Sequence, residues 1–303
     1  MNIKAALPTR SAIAHLRFVF SIFLFPVYLF ALSQAHTVQP LNALLIFFIW
    51  HGLAFPASNG YNSYFDKDED SIALLKEPPK VDISLYYFSI LIEVLAFLLG
   101  LLVTWQFAVA VLVYGIMSKL YSHPSTRLKK YPIISFLTVF IFQGCFIYWS
   151  TYAGLGGTDI FDEFRPTLSG AINPNIIAGA ICSCLIGASY PLTQVYQHDE
   201  DSRRGDRTLS LLLGYKGSFI FSGVLFGTGL ALSFLYWQTM GQIANFYLFL
   251  GCVAPIFIFF NFWFYKVGQS KTNANFRYAM LMNFISAICM IVYFSIVTLL
   301  SRL

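Results

Sequence analysis

Nine long apolar runs dominate this chain, near residues 13–34, 42–62, 83–102, 105–120, 132–153, 176–196, 217–237, 243–265 and 276–300. A helix that crosses a bilayer needs about 20 mostly apolar residues, so each run predicts one span. Gly100 and the polar Thr104, Trp105 and Gln106 interrupt an apolar stretch too long for one span, which divides 83–120 into a tight helical hairpin. With nine spans in 303 residues the connections are short, and only 11% of the residues are charged. That excludes the charged surface of an ordinary soluble enzyme. The expectation is an all-α membrane protein with nine transmembrane helices, residues 1–303 forming a single membrane-embedded domain. The first run follows Lys4 and Arg10 and contains Arg17. No small-residue cleavage site follows it, so it predicts a retained helix in place of a signal peptide. The five cysteines, Cys145, Cys182, Cys184, Cys252 and Cys289, lie in apolar runs without disulfide or metal spacing and read as packing residues.

Basic residues orient the chain, because cytoplasmic loops collect Lys and Arg. Lys4, Arg10 and Arg17 precede or enter the first span, and Lys67, Lys76 and Lys80 follow the second. Lys119, Arg127, Lys129 and Lys130 follow the fourth, and Arg203, Arg204, Arg207 and Lys216 follow the sixth. Lys266, Lys271 and Arg277 join the eighth and ninth, which leaves Arg165 and Arg302 for the opposite side. The net charge of +5 is therefore mostly topology. It predicts no nucleic-acid partner, since membrane insertion already explains where these charges lie.

Acidic residues are spread less evenly. Ten of the fourteen Asp and Glu lie in two windows, one after the second span (Asp66, Asp68, Glu69, Asp70, Glu77, Asp82) and one after the sixth (Asp199, Glu200, Asp201, Asp206). Both windows fall on the cytoplasmic side. Carboxylates at the C-terminal end of a helix oppose its dipole, so clustering them there is unfavourable unless a cation binds. In the first window Asn62, Asp66 and Asp70 recur at every fourth residue, which on a continuing helix stacks an amide oxygen and two carboxylates on one face. An incomplete oxygen set of this kind suits Mg²⁺, which keeps waters and shares phosphate oxygens of its substrate. The second window repeats the step with Gln197 and Asp201, while Asp199 and Glu200 lie off that face.

With these two windows the chain resembles the UbiA superfamily of intramembrane prenyltransferases, marked by a first motif N-x-x-x-D-x-x-x-D and a second D-x-x-x-D-x-x-x-G. Asn62, Asp66 and Asp70 match the first in full, and Asp201 and Gly205 match the second. Gln197 stands where the family has an Asp, and Asp199 or Glu200 could replace that charge. Gly205-Asp206-Arg207-Thr208-Leu209 and Tyr121-Ser122 followed by Arg127-Leu128-Lys129 are further family-like pieces.

The resemblance implies helices around a central cavity and a metal set of Asn62, Asp66, Asp70, Gln197, Asp199 and Asp201 holding Mg²⁺ against an isoprenyl diphosphate. It implies catalytic roles for Asp66, Asp70, Asp201, Arg127 and Arg204, the two arginines being suited to bidentate phosphate contact. Asn62, Lys119, Lys129, Arg203, Arg207 and Tyr121 would line the substrate. Diphosphate would leave and a prenyl acceptor, an aromatic quinone precursor or a related lipid-soluble compound, would trap the allylic cation. Membrane lipid is the surrounding partner, and no obligate protein partner is implied.

Other readings use the same residues. A UbiA-type membrane terpene cyclase would quench the cation internally and need no acceptor. A cation-coupled secondary transporter could set carboxylates around a cation site, although such sites lie near the bilayer midplane. A noncatalytic lipid-binding scaffold would not need two regularly spaced metal faces. Glu93 stands apart, because a carboxylate deep in a span is unfavourable unless paired or functional.

Overall fold

The computed structural model describes residues 8–67, 70–156 and 173–302. Lys4, Asp68, Glu69 and Arg165 of the charge pattern lie outside the described residues, as does Leu303. The described chain is helical throughout, apart from one isolated antiparallel bridge between Ile72 and Leu75. Thirteen α-helices join into long rods. The first rod combines α1 (Arg10–Leu16), a 3₁₀ segment (Phe18–Leu24) and α2 (Phe25–Gln34). The second combines α3 (Pro40–Phe47), a π segment (Phe48–Ala54) and α4 (Phe55–Asp66). Single helices α5 (Ile83–Gly100) and α6 (Trp105–Ser122) form the hairpin expected at Gly100. A fifth rod joins α7 (Pro132–Val139), a second π segment (Phe140–Cys145) and α8 (Phe146–Gly156).

Next come α9 (Pro174–Ser189), the short α10 (His198–Arg204), α11 (Leu209–Thr239), α12 (Ile243–Gln269) and α13 (Phe276–Leu300). Among the described residues eight of these rods are long and apolar enough to span a membrane. The count of nine spans is thus not reached on length and composition. The rod outside the eight is α6, whose serines, lysine and tyrosines lower its hydropathy.

Two departures from the expected spans have local causes. α9 stops at Ser189 and a 3₁₀ turn follows over Pro191–Thr193, because Pro191 has no amide to continue the helix. α11 begins eight residues before the expected 217, and Gly214 breaks it with φ 66° and ψ 176°, a region open essentially to glycine alone.

Rods one and nine pack through α2 and α13, rods one and five through α2 and α8, and α9 packs on α11 and on the second π segment. The bundle closes on itself around interior space. Its core is aromatic, with Trp50, Trp237, Trp263, Tyr148 and Phe30 fully buried. Leu91, Val94, Leu98, Val224 and Ile258 face outward at 50% exposure or more, the large apolar exterior that a lipid-facing surface requires.

Candidate active site

α4 ends at Asp66, and Lys67 caps it in the left-handed conformation at φ 50°. The helix therefore does not continue through the first motif. Further turns would place Asp68, Glu69 and Asp70 on the negative end of the dipole. As a result Asp70 does not stack on Asn62 and Asp66. It lies in the following loop, exposed, and accepts from Arg203 at 2.6 Å. That loop covers the site: Ile72 is buried and, with Ala73, lines the cavity below it.

A polar cavity of about 170 Å³ opens between α4, α6, α10 and the start of α11. Asn62 and Asp66 form one wall, and Gln197 and Asp201 another. Gln197 immediately precedes α10 and its carbonyl accepts from the Asp201 amide at 2.8 Å, so the one-turn relation read from the spacing holds. Asn62 donates to Ser122 Oγ at 3.0 Å, which leaves its amide oxygen for another partner. Tyr121 also lines the cavity, with its hydroxyl 3.1 Å from that of Tyr190.

Cations face these carboxylates. Lys129 pairs with Asp66, whose side chain is almost wholly buried, and Arg127 Nη2 stands 3.9 Å from the same carboxylate. Arg127 also grips Asp206 bidentately, Nε at 3.2 Å and Nη2 at 2.8 Å. Asp201 accepts from Thr208 Oγ1 at 3.2 Å. Burial pushes the Asp201 carboxyl up to about 6, and the Asp206 and Glu200 carboxylates push the same way against Thr208 and Lys129. A carboxylate so placed gains from an added cation. Burial likewise lowers His198, with Asp199 opposing, and its Nε2 lies 2.7 Å from Ser210 Oγ, tying α10 to α11.

Other expected residues lie elsewhere. Lys119 pairs with Glu93 and sits 5.2 Å over the Tyr61 ring, away from the cavity. The intramembrane carboxylate is thus compensated, and Gly115 makes the space for it, since a Cβ there would collide with Glu93 Oε1. Asp199 is exposed in the first turn of α10 and Arg207 is exposed beyond it, so neither lines the cavity. Arg203 is taken by Asp70. The side chain of Arg204 lies outside what the structure describes.

Spacing did not single out two contributors, Asp206 and Arg17. Arg17 lines the cavity, donates to the Asn59 carbonyl at 3.2 Å and lies 5.7 Å over Phe20. An arginine inside an apolar run was its signal.

Among the described residues no three His, Cys, Asp or Glu side chains converge as a metal cage. The donors are nevertheless all oxygen, and Mg²⁺ needs only one or two carboxylates with water and phosphate oxygens. Asn62 and Asp66 on one wall and Gln197 and Asp201 on the other fit that requirement. An apolar cavity of about 160 Å³, lined by Phe23, Val27, Cys182 and Met290, shares Phe20 and Thr193 with the polar one.

A helical membrane bundle with a carboxylate-lined polar pocket beside an apolar one defines the class. The UbiA prenyltransferase family model matches residues 23–286. The chain belongs to this family of multi-pass membrane proteins. Three solved structures share its fold. A UbiA homologue from Archaeoglobus fulgidus bound to DMAPP and Mg²⁺ aligns with TM-score 0.68 at 16% identity, covering 95% of this chain and 99% of that one. An apo UbiA homologue from Aeropyrum pernix K1 aligns with TM-score 0.63 at 17% identity, over 91% and 98%. A digeranylgeranylglyceryl phosphate synthase aligns with TM-score 0.60 at 18% identity, over 94% and 97%. Among curated proteins none matches the chain.

Proposed function

We propose that this protein transfers a prenyl group from an isoprenyl diphosphate to an aromatic quinone precursor or a related lipid-soluble acceptor, with its aspartate motifs at the cytoplasmic face. The observation that carries the reading is the junction at Phe20 and Thr193, where an anion-ready cavity meets an apolar one. The substrate has those two halves. The family match supports it, as do Archaeoglobus fulgidus homologues solved with GPP and Mg²⁺ or with DMAPP and Mg²⁺.

Asn62, Asp66, Gln197 and Asp201 would hold Mg²⁺, with Asp70 joining them on exchanging its Arg203 partner. When bound, the metal stabilises the negative charge of the leaving diphosphate. Arg127 and Lys129 stand at the carboxylates and would be in reach of phosphate oxygens there. Arg17, held by the Asn59 carbonyl of α4, adds positive charge to the cavity lining. The allylic C–O bond breaks with its electron pair going to diphosphate, and the acceptor's nucleophilic atom takes the carbon and releases a proton. Ile72 and Ala73 exclude water above the cavity.

The test is purified protein with Mg²⁺, a labelled prenyl diphosphate and a panel of hydroxybenzoate, dihydroxynaphthoate, homogentisate and a lipid glycerol phosphate. A labelled adduct with an aromatic acceptor is the expected result. Diphosphate release without any acceptor would replace this reading with cyclisation.

A further inference from the structure

Asn283 lies on α13 seven residues after its start at Phe276, about 10 Å along the helix at roughly 1.5 Å per residue. It is 8% exposed and lines the apolar cavity, as do Ser286 and Met290 further along the same helix. Met280, three residues earlier, lines the polar cavity. The carboxamide is therefore set near the level at which the two cavities share Phe20 and Thr193.

An amide inside a membrane bundle ordinarily finds a partner on its own helix or a neighbouring one. Asn42, also buried, donates to the Gly154 carbonyl at 3.1 Å, and Asn261 donates to the Phe257 carbonyl one turn back at 2.8 Å. Asn283 does neither: its Nδ2 is buried and has no hydrogen-bond partner among the described residues. Gln143, the other carboxamide that lines the cavity, is hydrogen-bonded to Tyr114. A buried polar group without a partner is unfavourable and calls for an explanation. A prenyl tail offers Asn283 only carbon, so the partner has to arrive with something else.

We propose that Asn283 is a specificity residue for the prenyl acceptor, its carboxamide hydrogen-bonding an uncharged hydroxyl or carbonyl oxygen of that compound. The proposal rests on the prenyl-transfer reading. Two observations choose the occupant. No charged side chain is among those lining this cavity, so it disfavours a carboxylate or a phosphate. A carboxamide both donates and accepts, and turning it exchanges the two ends, which suits a hydroxyl as well as a carbonyl. The ring that carries such an oxygen would pack on Phe20, Phe23 and Val27. Because Met280 of the same helix face reaches the polar cavity, an acceptor held at Asn283 stands at the end of the apolar cavity nearest the allylic carbon bonded to diphosphate.

The experiment uses the full chain in lipid nanodiscs with Mg²⁺ and geranyl thiolodiphosphate, which resists ionisation. It reads the affinities of 1-naphthol and 1-methylnaphthalene, compared at equal membrane concentration, from the shift each causes in the thermal midpoint. These probes match in size and differ in the hydroxyl. The wild type should bind naphthol about tenfold more tightly. Asn283→Leu, close in volume, should abolish that preference, whereas Asn261→Leu, on an exposed face of α12, should keep it. Without probe or analogue, the midpoint of Asn283→Leu should equal or exceed that of the wild type, since the change removes an unpaired polar group. A lower midpoint would make the carboxamide a structural group and overturn the proposal. A naphthol preference absent from the wild type, or persisting in Asn283→Leu, would overturn it too and leave Asn283 to a water molecule. If the thiolodiphosphate with Mg²⁺ does not shift the wild-type midpoint, it is the prenyl diphosphate reading that fails.

Discussion

Asp66 and Asp201 face one cavity from two motifs, and Asn keeps the shape of each side chain while removing its charge. Asp66→Asn and Asp201→Asn should each lower turnover about a hundredfold while the protein still inserts and purifies as the wild type does. Activity above about a tenth of wild type at saturating Mg²⁺ in both would remove the two-motif mechanism. Asp70 is a sharper case, because the structure pairs it with Arg203 on an exposed surface, where an ion pair contributes about 0–1 kcal/mol. If Asp70 serves the metal, Asp70→Asn loses far more activity than Arg203→Ala, and that is the expected result. Equal small losses would reduce Asp70 to a latch for the loop. Asp199 is exposed and outside the cavity, whereas Asp206 lines it and holds Arg127. We therefore propose that Asp206, rather than Asp199, makes up the charge missing at Gln197, so that Asp206→Asn should weaken the apparent Mg²⁺ affinity where Asp199→Asn does not. Spacing revealed Asn62, Asp66, Gln197 and Asp201 because helical periodicity is local. It did not reveal that Arg127 would meet Asp206, 79 positions away, or that Lys119 would be spent on Glu93. Those pairings follow from how the rods assemble.

Helix ends position the site, and they are legible where a residue forces them. Pro191 stops α9 and Gly205, in the left-handed region at φ 72°, stops α10. The end of α4 at Asp66 was less legible, since a repeat of polar residues reads as continuing helix until the charge beyond it is weighed. The break at Gly214 lets Ser218 Oγ reach the Gly214 carbonyl at 2.8 Å and Ser210 Oγ at 2.9 Å, in the seam that anchors His198. Gly214→Ala would strain the backbone by about 1–3 kcal/mol, although a Cβ there meets nothing within 4 Å. Its denaturation midpoint in detergent should fall, whereas Gly227→Ala, in regular helix, should not lower it. Asp82 caps α5, accepting from the Ser84 amide at 2.8 Å and from Thr9 Oγ1 at 2.5 Å. Burial alone would raise its carboxyl, but the hydrogen bonds from Ser84, Thr9 and the Ser84 and Leu85 amides outweigh that and hold it below its usual value. A folded pKa below the unfolded one stabilises above the unfolded value and is lost as pH falls through the folded one. Asp82→Ala should therefore remove about 1 kcal/mol near neutral pH and flatten the acid limb of the denaturation profile.

Across the whole molecule, apolar run lengths were enough to read an all-helical membrane fold, because lipid demands long helices whatever their order. The assembly was less legible: nothing local announces that α2 would pack on both α8 and α13. One contact between the chain ends bears directly on topology. Arg302 Nη2 donates to the Leu32 carbonyl at 3.0 Å and to that of Ala35 at 3.1 Å. The end of α13 thus sits beside the far end of the first rod, opposite Arg10. At the other end of the bundle, Ser11 Oγ donates to the Lys80 carbonyl at 2.7 Å and His15 Nε2 lies 2.7 Å from that of Pro79. The loop after the first motif therefore shares a face with the start of α1. That arrangement predicts an odd number of crossings between Arg10 and Arg302, with α6 as the ninth although its hydropathy falls short. The Lys and Arg distribution predicts that the motif face lies toward the cytoplasm. Reporter fusions should place residues 199–207 and a tag ahead of Arg10 on the cytoplasmic side and a tag after Arg302 on the other. A C-terminal reporter on the same side as residues 199–207 would mean an even number of crossings, with α6 or another rod failing to traverse the bilayer.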